Sequence, residues 1–302
     1  MQDLSDPSVV QAACIRGLRW GLDHAWPEVK VDHYGNVGPM DENLPPYMQW
    51  ACGAGELGPW IHNDLDFDEY MRSVRSSAAL TINCFGPLMM AGLGFSIGSH
   101  RKLHVDSFEP RTRNGFEDAH EPHLDVIACG VGGLVAIDPT CIDYLAPKRP
   151  RVMEHSEETI TGEGVTDAWA AEMLRIHKGE QNYRFLDAGH LIERALSMSR
   201  SNPDEPATLV YLYWEPMDEG LSPLFEEHRQ EIAEFAKRVA GGSLRFEALS
   251  WFDQWNDWAE TGDPLLQRQV GELRARYEVP AWAWEGVSWV DGRLTNSGLE
   301  DW

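Results

Sequence analysis

The sequence predicts an α/β protein, a mixed β-sheet core flanked by helices. Two observations carry this. The periodic segments run in the order helices, a cluster of short apolar strands, then helix, strand, helix and strand, which is the order of a mixed sheet covered by helices. Two of the strand-like runs are joined by Gly130-Val131-Gly132-Gly133, a hairpin turn. The composition agrees: 43 % hydrophobic and 25 % charged residues lie close to the averages of folded globular domains. A chain of 302 residues has room for one large domain or two small ones. No composition break divides it, so a single domain is expected. Residues 1–60 would be an N-terminal helix and irregular segment, 61–258 the core, and 259–302 a C-terminal helical extension and tail.

The elements follow in chain order. Ser5 is the predicted N-cap of a first helix, with Asp6-Pro7 in its first turn and Val10, Cys14, Leu18 and Leu22 at fourfold spacing. From Trp26 to Trp60 Pro and Gly recur without a period, so an irregular connection is expected. A second helix is predicted from about Asp68 until Gly86-Pro87 ends it. Strands are expected in "FSIGS" (95–99), "KLHVDSFEP" (102–110), "HLDVIACG" (123–130) and "GLVAIDPTCI" (133–142). An exposed loop rich in charge and Pro follows at 146–164, then helices at 166–179 and 185–199. A strand at 207–216, a helix at 223–242, a strand at 244–250 and helical segments through Tyr277 close the order.

Charge limits the partners. The chain has 25 basic and 49 acidic residues, a formal net charge of -24. This disfavours diffuse nucleic-acid binding, which depends on Lys and Arg displacing phosphate counterions. A local groove for DNA stays open, as does an acidic surface that engages a basic protein partner or simply keeps the chain soluble. The five cysteines are odd in number and lack C-x-x-C spacing, which argues against a disulfide framework or zinc ribbon and fits a cytoplasmic protein. The N-terminus carries no signal-peptide pattern. The longest apolar stretch, "LTINCFGPLMMAGLGF", is interrupted by Asn83, Pro87 and several Gly, so no membrane span is expected.

Asp125 and Asp138 stand on adjacent predicted strands across the hairpin turn. Carboxylates converging in this way are hard oxygen donors for Mg²⁺, and a bound ion can activate water and steady a phosphoryl group. The same spacing belongs to many ordinary hairpins. "HEPHLD" suggests zinc through His120, Glu121, His123 and Asp125, but His residues at i and i+3 with Pro between them do not share a helical face. Cys129 and Cys141, within the two strands, are expected as small buried hydrophobes. Trp251, Trp255 and Trp258 at helical spacing are expected to pack on the sheet rather than to stack on bases.

Further segments extend the pattern around the hairpin: "AGELG" with Glu56, "SSAALTINCFGPL", "SFEPRTR", "PHLDVIACG", "CIDYLAP", "FLDAGHLIERAL", "LVYLYWEP" with "LFEEHRQEIAEFAKRVAG", and "RFEALSWFDQW". Taken in order, from about Gly53 to Trp258, they resemble the PD-(D/E)XK nuclease superfamily, within it the bacterial restriction-endonuclease-like proteins. The resemblance implies a restriction-endonuclease-like core in which Asp125 binds a divalent metal, Mg²⁺ or Mn²⁺. Asp138 would be its co-ligand, and Glu56 would join them. It also implies a lysine two residues after the second carboxylate, where this chain has Thr140. A hydroxyl is a neutral dipole in place of a full charge beside the reacting phosphate, and the loss slows hydrolysis by roughly a hundredfold or more.

Two further departures follow. Pro139 lacks a strand donor and is expected at an edge or bulge, which would turn Asp138 elsewhere. Cations that could take the lysine's place are Lys102, Lys148, Lys178 and Arg194. On the helix after the strands His190, followed by Glu193 and Arg194, stands where the family presents a Gln, so His190 and Arg194 are candidate phosphate contacts. The expected function is metal-dependent DNA phosphodiester hydrolysis, weak or absent. The alternative is a non-catalytic acidic binding or decoy protein on a nuclease scaffold.

Overall fold

A computed structural model describes residues 4–32, 35–45, 71–108, 126–146, 167–201, 205–217, 219–279, 287–290 and 293–296. Its strands are β1 (Phe95–Ile97), β2 (His100–Phe108), β3 (Val126–Gly130), β4 (Gly133–Thr140), β5 (Ala207–Tyr213) and β6 (Arg245–Ser250), with a separate hairpin of β7 (Val287–Val290) and β8 (Arg293–Asn296). The first six form one sheet in chain order. β1 to β4 pair antiparallel, and β4–β5 and β5–β6 pair parallel. Each parallel pair needs a crossover. Helices α3 (Ala168–His177) and α4 (Ala188–Ser201) make the first, and α5 (Pro223–Val239) makes the second.

The β3–β4 hairpin forms at the predicted turn, where Gly130 pairs with Gly133. Gly133 has φ 110° with the Pro206 carbonyl against its α-carbon, so the turn admits only glycine there. Side chains alternate along β4, which splits the core in two. Val135 and Ile137 face one layer with α1 (Pro7–Ala25), α2 (Ser77–Met90), α6 (Trp251–Glu260) and α7 (Pro264–Tyr277). Ala136 faces the other layer with α3, α4 and α5. The result is the predicted α/β architecture, a six-stranded mixed sheet flanked by helices and consistent with a nuclease-like fold.

Trp251, Trp255 and Trp258 are all buried in the first layer, where the Trp258 ring meets Phe85 edge-on. The Trp258 indole N–H donates to the Ser96 carbonyl at 2.7 Å. Packing is therefore what this aromatic stripe does. The C-terminal helix α7 belongs to the same layer: Arg276 is fully buried and donates to the Leu18 carbonyl at 2.6 Å and the Val74 carbonyl at 3.2 Å. Gly21 allows that approach, since a Cβ there would collide with the Arg276 carbonyl.

Several local expectations need correction. The N-cap of α1 is Asp6, whose carboxylate accepts from the Ser8 N–H at 2.9 Å, rather than Ser5. The predicted second helix is interrupted: Met71 and Arg72 are helical, Ser73 is drawn into an isolated bridge with Asn36, and α2 begins at Ser77, capped by Ser76. Asp68, its predicted start, lies outside the described residues. Pro87 does not end this helix. It removes the N–H that would bond the Asn83 carbonyl, and the Gln269 side-chain amide donates to that carbonyl at 3.2 Å instead. Cys141 is buried as expected, whereas Cys129 is exposed.

Candidate functional site

The cavity of interest, about 190 Å³, opens at the carboxyl end of β4. In α/β sheets this is where ligands bind. Asp138 and Thr140 both line it, as the alternation that puts Ala136 on this face requires. Pro139 is compatible with this because β4 is an interior strand whose ladder to β5 runs through its even-numbered residues. Leu134 N–H donates to Pro206 O at 3.0 Å, and Trp214 N–H donates to Thr140 O at 3.1 Å. The missing N–H of Pro139 therefore belongs to the β3 side, where described pairing stops at Ile137. Proline sits here in register with Leu212, without a bulge, and Asp138 keeps its place opposite Tyr211.

Asp138 is buried, and its carboxylate lies 2.6 Å from the Arg194 guanidinium of α4, which is equally buried. Of the cations weighed as replacements for a lysine, Arg194 is the one placed at the carboxylate. Lys102 and Lys178 are exposed and do not line the cavity, and Lys148 lies outside the described residues. Arginine supplies charge here but cannot serve as a base, because it stays protonated. His190 also lines the cavity from α4.

Two more carboxylates reach the same space. Asp143 accepts from the Ser77 hydroxyl at 2.9 Å, and Ser77 Oγ in turn accepts from the Cys141 N–H at 2.9 Å, which fixes the hydroxyl's direction. The site at the first turn of α2 suits a negative group, since the free N–H groups of a helix start carry partial positive charge. Asp187 accepts from the His190 N–H at 3.3 Å at the start of α4. The approach to α4 is fixed by Glu231 of α5, whose carboxylate accepts from the N–H groups of Arg184, Phe185 and Leu186 at 2.6 to 2.9 Å.

Sequence reasoning did not single out Ser77, Asp143, Asp187 or Tyr211. Asp187 carried a signal, an Asp directly before an amphipathic helix. Asp143 lies five positions beyond Asp138 and had none. Asp125 and Glu56 lie outside the described residues, as do His120, Glu121 and His123 of the zinc pattern. Carboxylate oxygens suit a hard divalent cation. Among the described residues, however, no three His, Cys, Asp or Glu side chains are placed to hold a metal ion. Asp138 with Arg194 does not by itself make such a site.

Beyond the end of β5, Glu215 is buried and bound to Arg229 at 2.8 Å. Burial pushes its pKa up to about 7, with Arg229 pulling it down only in part. The folded chain thus holds a proton here that the unfolded chain releases near the ordinary carboxylate range. Stability from this residue is full below that range and is lost as pH rises toward 7, by up to about 1.4 kcal/mol for each step of one in pH. Glu215→Gln is expected to remove that slope. Denaturant melts of both proteins from pH 5 to 8 check it, and parallel pH profiles would contradict it.

The mixed sheet flanked by helices is consistent with a restriction-endonuclease-like protein. The family model described as "Restriction Endonuclease associating with ARP" matches residues 60–278, and the chain belongs to that family. No curated protein and no solved structure gave a match. Among the described residues no helix is long and apolar enough to cross a membrane.

Proposed function

We propose that this chain is a PD-(D/E)XK nuclease-like protein whose cavity at Asp138 serves metal-dependent hydrolysis of DNA phosphodiesters, with turnover held low by Thr140. The observation that carries this reading is the placement of Asp138: buried at the carboxyl end of β4 and sharing a cavity with Thr140 two residues on. Membership of a restriction-endonuclease family supports it. In this reading Mg²⁺ or Mn²⁺ is taken by Asp138 together with Asp125 and Glu56, and DNA approaches through a local groove against an otherwise acidic surface. Arg194 balances Asp138, His190 faces the substrate phosphate, and Thr140 offers a neutral dipole where a cation would stabilise developing charge.

A second reading, a non-catalytic protein that uses the scaffold and its acidic surface to bind a protein partner, is favoured by the Asp138–Arg194 pair, which already neutralises the carboxylate. Supercoiled plasmid incubated with Mg²⁺ or Mn²⁺ separates the two. Nicking that disappears in Asp125→Ala and Asp138→Asn supports the nuclease. No nicking, with no heat of metal binding by calorimetry, leaves the binding protein.

A further inference from the structure

Tyr211 stands opposite Asp138 in the β4–β5 ladder and lines the same cavity. Its phenol oxygen is 3.1 Å from Nε2 of His228, a fully buried residue of α5. That imidazole is tightly framed. The Tyr144 ring stacks on it with centres 3.9 Å apart, and Tyr211 and Tyr213 meet it edge-on at 5.8 and 5.3 Å. Tyr144 is itself fixed by donating its hydroxyl to the Trp214 carbonyl at 2.7 Å.

Burial, with Arg229 adding to it, lowers the His228 pKa to about 3, so at neutral pH the ring is uncharged and carries a single N–H. Among the described residues nothing hydrogen-bonds to Nδ1. A proton on Nδ1 would therefore be a buried donor without an acceptor, a loss of about 1–3 kcal/mol, and orphaned buried N–H groups are rarer than under-satisfied acceptors. The proton belongs on Nε2, where it donates to the Tyr211 oxygen. The hydroxyl proton of Tyr211 then has no acceptor on His228 and turns to the cavity that the residue lines.

We infer that Tyr211, aimed by the neutral His228, is a fixed hydroxyl donor of the cavity and positions a phosphoryl oxygen of the bound ligand beside Asp138. The identity of the ligand rests on the nuclease reading above. The aim of the hydroxyl does not. A phenol suits this cavity because it adds a donor for the phosphate without adding charge next to Arg194.

Two measurements on the full chain test this. Imidazole ¹⁵N spectra, with His228 assigned by its loss in His228→Gln, are expected to show the Nε2-protonated tautomer, and an Nδ1-protonated ring would overturn the aim of Tyr211. Fluorescence anisotropy of a short DNA duplex in Ca²⁺ tests the donor. Tyr211→Phe is expected to weaken binding about fivefold to tenfold, the scale of one hydrogen bond. His228→Gln, whose amide N–H overlays Nε2, should stay within about twofold of the native chain, and His228→Asn should follow Tyr211→Phe. Unchanged affinity in Tyr211→Phe overturns the donor role. No duplex binding by the native chain overturns the nuclease reading and the ligand named here, while the tautomer spectrum still decides the aim of Tyr211.

Discussion

Arg194→Met is expected to lower stability by about 3–5 kcal/mol, the usual cost of removing one partner from a buried ion pair. The Asp138 and Arg194 side chains are only 8 % and 6 % exposed, so water offers little compensation when the guanidinium is lost. At roughly 2–4 °C per kcal/mol for a chain of this order of size, the melting temperature should fall by on the order of 10 °C. The sign reverses in the double variant. Asp138→Leu with Arg194→Met removes both charges, and replacing a buried pair by apolar groups of similar volume is commonly neutral or stabilising. A double-mutant cycle from denaturant melts gives the coupling directly. An Arg194→Met protein that melts like the native one would show that the pair is not holding α4 to β4.

Thr140→Lys is expected to raise plasmid hydrolysis by about a hundredfold or more, from about 1.4 kcal/mol of barrier per factor of ten. Residue 140 lies on the cavity face of β4 and is only partly buried, so a longer side chain has a path to solvent. The new ammonium would sit near Asp138, where it supplies the full charge that a hydroxyl lacks. Single-turnover rates with Mn²⁺ measure the gain. A folded Thr140→Lys protein with no more activity than the native chain would mean that something other than the missing cation limits the site.

The sheet was legible because β3, β4 and β5 are short apolar runs, and β3–β4 had its hairpin turn written in Gly130 to Gly133. The tryptophan helix was legible from spacing alone. What escaped were places where a distant residue overrides a local rule. Pro87 reads as a helix stop until Gln269, far along the chain, supplies the donor that proline lacks. Pro139 reads as an edge or bulge residue until the β5 ladder is seen to use only its neighbours.

The site divides the same way. Asp138 and Thr140 could be named from the hairpin and the resemblance, and His190 and Arg194 from the helix that follows. The carboxylates of Asp143 and Asp187 and the hydroxyls of Ser77 and Tyr211 arrive from four separate elements, and no local pattern joins them. The specific partnership of Arg194 with Asp138 was beyond sequence, since of the four cations weighed Arg194 is the farthest from Asp138 along the chain. Tertiary packing of α4 on the sheet decides it.

The most direct measurement is nicking of supercoiled plasmid in Mn²⁺ by the native chain, Asp138→Asn and Thr140→Lys in parallel. Slow nicking by the native protein, none by Asp138→Asn and a large gain in Thr140→Lys are expected. Nicking by Asp138→Asn at the native rate would contradict this, because the activity would then come from somewhere other than the cavity at Asp138.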